Sequence, residues 1–185
     1  GASYQNAIKH KWGLIDVEDT VIAANDLISR GLADKERLAI MGSSAGGTTV
    51  LNALIRFPGF FKAGVCSYGV SNLIDDAKQT HKFEKYYHRF LIGSLEKNLK
   101  CFRERSPIFH AEKITEPLAV FHGDNDKVVS PSQSEKIVAN LQKHGVPCLY
   151  RLYKDEGHGF HKQDTLEDYY QEIEGFLQKY LIEKQ

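Results

Sequence analysis

The sequence predicts an α/β protein built on a parallel sheet with flanking helices. Short apolar runs bounded by turn residues alternate with stretches whose apolar residues recur at helical spacing. Parallel strands need crossover connections of this kind, because a tight turn cannot join them. The chain has 185 residues, 42% of them hydrophobic, which suits one domain with a sizeable core.

The elements follow in order. Leu14, Val17, Val21, Ala24 and Ile28 mark a helix over residues 14–29, with Gly31 as its C-terminal cap. Before residue 38 this is the one clear helix, and no strand is evident. Leu38-Ala39-Ile40-Met41, ending at Gly42, has the pattern of a fully buried strand. A helix follows from Ser44 into Leu54, and Ala63-Gly64-Val65-Cys66-Ser67-Tyr68 is the second strand. Residues 72–107 are polar and aromatic-rich and read as short helices over one edge of the sheet.

Leu118-Ala119-Val120-Phe121 is the third strand, opened by Pro117 where a missing N–H costs little. Ser130-Pro131-Ser132-Gln133 reads as an N-cap, a proline in the first turn and a capping-box glutamine. That helix presents Ile137, Val138 and Leu141 and ends at Gly145. Residues 148–153 form the fourth strand. The last helix carries a wide apolar stripe from Leu166 to Leu181.

Several function classes drop out. Twenty-four Lys and Arg balance twenty-four Asp and Glu, which removes the electrostatic case for nucleic acid or an anionic membrane as partner. No apolar run is long enough to span a bilayer, and the first residues lack the basic-then-apolar order of a signal peptide. The only Met is Met41, so the chain reads as a piece of a longer one. Cys66, Cys101 and Cys148 are an odd set without a Cys-x-x-Cys pair, which fits a reducing compartment, and a cytoplasmic location is expected. No His-Glu-x-x-His occurs, so no metal is implied.

Gly42-Ser43-Ser44-Ala45-Gly46 falls between a predicted strand and a predicted helix. A serine at such a turn sits in strained backbone, and small neighbours two residues away let the turn close. Only Ser44 has glycine at both flanking positions. The helix that follows aims free N–H groups at developing negative charge, and Ala45 would contribute one of them to an oxyanion hole. Phosphate cradling is the competing use of a glycine-rich turn, but neither Gly-x-Gly-x-x-Gly nor a lysine after the glycines is present.

A serine needs a base, and the base needs an acid. His122-Gly123-Asp124-Asn125-Asp126 follows the third strand, and Asp155-Glu156-Gly157-His158-Gly159-Phe160 follows the fourth. Serine, acid, then histidine is the order of an α/β hydrolase. His158, with glycine on both sides, is the candidate base. From the residues alone, Asp124 and Asp126 are both open as the acid, while Asp155 and Glu156 lie too near His158 in the chain. His122 reads as a strand-end residue that packs or hydrogen-bonds locally.

These pieces, with Trp12-Gly13, Asp16-Val17-Glu18-Asp19, Tyr68-Gly69-Val70-Ser71, His81-Lys82-Phe83-Glu84 and Arg105-Ser106-Pro107-Ile108, carry a resemblance. Residues 12–160 resemble the catalytic domain of the prolyl oligopeptidase family, and its acylaminoacyl-peptidase-like branch in particular. The resemblance implies Asp126 as the acid, a peptide substrate, no cofactor, and a serine peptidase in which a β-propeller is joined to an α/β-hydrolase domain. It also implies that residues 1–185 are the C-terminal part of that domain, lacking early strands and the loop with a second oxyanion donor. An esterase-like α/β hydrolase and an inactive fragment are the alternatives. Two further expectations follow: weak turnover by the 185-residue chain, and self-association through an exposed sheet edge at residues 38–41. The aromatic segment with Phe83 and Tyr87 borders the substrate or simply packs.

Overall fold

The computed structural model describes residues 1–79 and 86–183. Four strands, β1 (Ala39–Ser43), β2 (Ala63–Ser67), β3 (Leu118–Gly123) and β4 (Cys148–Tyr153), form one sheet in the order β1-β2-β3-β4. Every pairing is parallel, with Met41 opposite Val65, Val65 opposite Ala119, and Ala119 opposite Leu149. Helices α1 (Ala2–Ala7) and α2 (Ile15–Ser29) precede β1, and α3 (Ala45–Arg56) joins β1 to β2. Three helices, α4 (Leu73–Gln79), α5 (Tyr87–Leu91) and α6 (Leu95–Arg105), lie between β2 and β3. Helices α7 (Ser132–Lys143) and α8 (Gln163–Leu177) follow β3 and β4.

Alternation of side chains along each strand sorts them between two faces. Leu118 and Val120 pack with Ile40 and Cys66 against residues of α2, α3 and α7. Ala119 and Phe121 pack with Ala63 and Val65 against Ile173 and Phe176 of α8. A third cluster joins Trp12, Val70, Leu73, Leu91, Phe102 and Val129. It anchors α4 to α6 beside the carboxyl ends of the strands.

β2 and β3 are buried at every residue, whereas β1 and β4 are not. The expectation of a fully buried first strand is therefore corrected. β1 is an edge strand of the described sheet, and Met41 is 55% exposed. Val17 and Val21 of α2 pack with α3 residues and Ile40 without covering Met41.

Two local expectations also change. A second helix, α1, precedes α2; it buries no residue and so leaves no apolar period to read. Gln133 does not close a capping box. Its Oε1 accepts the N–H groups of Ser71 and Asn72, each at 2.8 Å, and ties α7 to the loop after β2. The cap at the start of α7 is a backbone bond from Gln133 N–H to Ser130 O at 2.9 Å. Among the described residues no helix is long and apolar enough to cross a membrane.

Candidate active site

The carboxyl ends of all four strands open on one side, the edge at which parallel α/β sheets bind ligands. β1 runs straight into Ser44, whose φ of 55° and ψ of −120° lie outside the regions ordinary residues favour. That conformation is over-determined by its neighbours. Ser44 N–H donates to Ser67 O at 3.0 Å, and Thr48 N–H donates to Ser44 O at 3.2 Å as α3 begins. A Cβ on Gly42 would lie 2.5 Å from Gly46 O, and one on Gly47 would lie 2.7 Å from Gly69 Cα. Gly46 itself has open space where a Cβ would go. The steric need thus falls on Gly42 and Gly47, not on both glycines flanking the serine.

The acid comes from the loop after β3. Asp126 is buried and Asp124 is exposed. Asp124 Oδ1 accepts the N–H of Asp155 at 2.7 Å, pinning the β3 loop to the β4 loop. Asp126 Oδ1 accepts the N–H groups of Val128 at 2.8 Å and Val129 at 2.9 Å. Its Oδ2 faces two imidazoles, His158 Nδ1 at 2.8 Å and His122 Nε2 at 3.1 Å. Burial pushes the Asp126 carboxyl up, but hydrogen bonds from His122, His158, Val129 and Val128 outweigh it and hold the group well below the usual carboxylate range.

These partners fix the tautomers. An ionised carboxylate only accepts, so His158 donates Nδ1–H and keeps Nε2 as an acceptor. Ser44 Oγ lies 2.8 Å from that Nε2 and donates to it. His122 Nε2 faces Asp126 Oδ2 and, at 3.0 Å, Val129 O, and must carry the proton because both are acceptors. Its Nδ1 then accepts from Ser134 Oγ at 2.7 Å. His122 is fully buried, so this bracing is shielded from water.

The loop carrying His158 is held from inside. Glu156 is buried and accepts the N–H groups of His161 at 3.0 Å and Lys162 at 2.9 Å. Burial alone would raise its carboxyl; the N–H groups of Lys162 and His161 hold it below the ordinary value. Asn125 N–H donates to Glu156 O at 2.9 Å, so the acid loop rests on the base loop. Tyr68, with φ of 40°, turns its ring edge-on to His158 and Phe160 at centroid distances of 4.8 and 5.5 Å.

The structure therefore brings Ser44, His158 and Asp126 together and sets Asp124 apart. Sequence reasoning did not assign the parts played by His122, Glu156 and Tyr68. The spacing of His122 to Asp126, four residues across a strand end, was the available signal for the first. Glu156 gave none, since a buried acid that caps its own loop looks like any turn residue.

A cavity of about 380 Å³ opens at Ser44, and Ala45, Val70, Val128 and His158 border it. Trp12, Asp76, Tyr87, His88, Leu91 and Val129 complete its wall. Ala45 is the first residue of α3, where backbone N–H groups have no partner inside the helix. Tyr87 stands on the cavity wall, and Phe83 lies outside the described residues. Among the described residues, no three His, Cys, Asp or Glu side chains cluster as metal ligands would.

Known peptidases are similar to this chain in sequence and in fold. The chain matches the prolyl oligopeptidase family over residues 1–184. It is 34% identical to dipeptidyl peptidase family member 6 of Caenorhabditis elegans, over 98% of this chain and 25% of that protein. With dipeptidyl aminopeptidase BIII of Pseudoxanthomonas mexicana it shares 31% identity over 96% of this chain and 26% of the relative. The structure of a puromycin-hydrolyzing peptidase of Mycobacterium tuberculosis superposes with a TM-score of 0.94 at 38% identity, covering 98% of this chain and 27% of the other. Acylaminoacyl peptidase of Pyrococcus horikoshii, at 23% identity and a TM-score of 0.88 over 97% of this chain and 30% of its own, shares the fold. The chain spans about a quarter of the length of the curated relatives it matches. Fold and family agree: the chain has an α/β-hydrolase sheet and belongs to the prolyl oligopeptidase family, whose members are serine peptidases.

Proposed function

We propose that this chain is part of an α/β-hydrolase catalytic domain and carries the machinery of a serine peptidase acting through an acyl-enzyme. The observation that carries the reading is the unbroken hydrogen-bond chain from Ser44 Oγ to His158 Nε2 and from His158 Nδ1 to Asp126 Oδ2, each link 2.8 Å. Ser44 Oγ attacks the peptide carbonyl carbon while His158 Nε2 takes its proton. The Ala45 N–H stabilises the resulting oxyanion. The tetrahedral intermediate collapses, the C–N bond breaks, and His158 returns the proton to the leaving amine. Water then attacks the acyl-enzyme in the same way, releasing the carboxylic acid and restoring Ser44. Asp126 keeps the imidazole in the right tautomer and stabilises the transient imidazolium. Side chains, the Ala45 backbone N–H and water carry every step, so no cofactor enters the scheme.

Peptides as the substrate class rest on the peptidase relatives. The test is a fluorophosphonate probe followed by peptide mapping. One adduct on Ser44, lost in Ser44→Ala, is expected; an adduct on Ser43, or none, would overturn the reading.

A further inference from the structure

We propose that Asp76 and His88 form the specificity-determining end of the cavity and select an acyl-side residue with an apolar stem and a cationic head, lysine or arginine. The inference rests on the serine-peptidase reading of Ser44 and extends it to a substrate class.

Both residues share the cavity of about 380 Å³ with Ser44 and His158. His88 Nε2 lies 2.7 Å from Asp76 Oδ2, and the two side chains are only 11% and 16% exposed. The same cavity is lined by Trp12, Val70 and Leu91, drawn from one packed apolar cluster. A carboxylate in such a wall is costly unless it meets donors. His88 Nε2 faces the Asp76 carboxylate, and among the described residues no lysine or arginine pairs with it. The other ring nitrogen, His88 Nδ1, is buried and has no hydrogen-bond partner among the described residues. A carboxylate accepts, so the group that completes this end of the cavity is a donor, and a cation completes it best.

The position relative to the reacting atoms names the substrate residue. With the scissile carbonyl carbon at Ser44 Oγ and its oxygen at Ala45 N–H, the nearest substrate side chain is that of the acyl residue. It enters the cavity that Ser44 opens onto. An aliphatic stem lies along Val70, Leu91 and Trp12, and the charged head reaches Asp76. Bracing of α4 to α5 accounts for the Asp76–His88 hydrogen bond alone and predicts no substrate preference.

The native protein is assayed with three coumarin amides that differ only in the acyl residue: lysine, norleucine and glutamate. Norleucine keeps the stem and removes the charge. A charge-assisted hydrogen bond at this partly buried carboxylate gives lysine a kcat/KM at least about tenfold above norleucine, with glutamate lowest. Asp76→Asn, which keeps an acceptor for His88, lowers the lysine-to-norleucine ratio by about tenfold or more. Lysine and norleucine turned over within about threefold of each other by the unaltered protein, a margin under 1 kcal/mol, would overturn the proposal. An Asp76→Asn ratio equal to that of the unaltered protein would do the same. If Asp76→Asn fails to fold, the ratio in the unaltered protein still decides. Fluorophosphonate labelling of the same preparation separates the two levels. Labelled Ser44 with a flat ratio overturns the subsite alone, while no labelling and no turnover of any amide overturns the peptidase reading as well.

Discussion

Ser44 and Asp126 meet through one imidazole, yet they are held in place by different physics. Ser44 is set by backbone: a strained φ, a bond to Ser67 O, and glycines where any Cβ would collide. Asp126 is set by polar side chains and loop amides, with four donors converging on one buried carboxylate. The nucleophile end should therefore fail through steric change, and the acid end through loss of hydrogen bonds or of charge.

The largest expected effect is at the nucleophile end. Gly42→Ala forces the backbone at Gly46 aside, so activity is expected to fall by about 10²-fold or more, the penalty of a displacement near 1 Å. Overpacking adds a stability loss of about 1–3 kcal/mol, read by urea unfolding. Gly46→Ala is the control: it has room, and alanine in place of a helical glycine should raise stability by about 0.5–1 kcal/mol. Equal damage from both would show that the turn is not held by the contact at Gly42.

At the acid end, His122→Leu removes one donor from Asp126 and leaves the Ser134 hydroxyl without its partner. We expect kcat to fall by about 10–100-fold with little change in KM, as for loss of a hydrogen bond to a charged group. His122→Gln, which can still donate, should recover part of the loss. A KM effect at constant kcat would place His122 in substrate binding instead.

The Asp126 carboxyl is depressed in the folded chain, which gives a signed prediction for stability. Its contribution is fully present above the unfolded carboxylate value of about 3.9 and is lost as pH falls from there toward the lower folded value. Each unit of depression is worth about 1.4 kcal/mol. Urea unfolding from pH 6 down to about 2.5 should show the decline, and Asp126→Asn should flatten it. A decline just as steep in that variant would assign the effect to other carboxylates.

The smallest effect concerns the β1 edge of the sheet. β1 presents backbone groups with no strand partner among the described residues and an exposed Met41, an invitation to pair with another chain. Light scattering of the 185-residue chain at about 100 μM should detect association. A Met41→Lys variant should weaken it. A chain that is monomeric throughout would show the edge to be covered.

Much of this was legible in the sequence because the third strand and its neighbours obey simple periodicities. Leu118-Ala119-Val120-Phe121 is buried as the run suggests, and α2 spans Ile15–Ser29, one residue inside the expected 14–29. The apolar run at 38–41 overstated the burial of β1, because such a run is the same whether its strand is central or at an edge. The edge position, expected from the missing early strands, is where the sheet order puts it. Gln133 misled because a capping box depends on a local reach, and its amide found a distant partner at Ser71. The order serine, acid, histidine was visible in spacing. The choice of Asp126 over Asp124 was not, since two residues of one turn differ only in which way the loop folds them. That direction is set by bonds spanning 31 and 32 residues, Asp155 to Asp124 and His158 to Asp126.

The central claim is that Ser44 and His158 act as one unit, and a double-mutant cycle tests it most directly. In the native protein, kcat/KM is measured for Ser44→Ala, His158→Ala and the double variant on one peptide substrate. Members of a catalytic chain fail together, so each single change should cost about 10⁴-fold or more and the double change no more than about threefold beyond either. Losses that multiply in the double variant would mean that the two residues act independently, and would contradict the account.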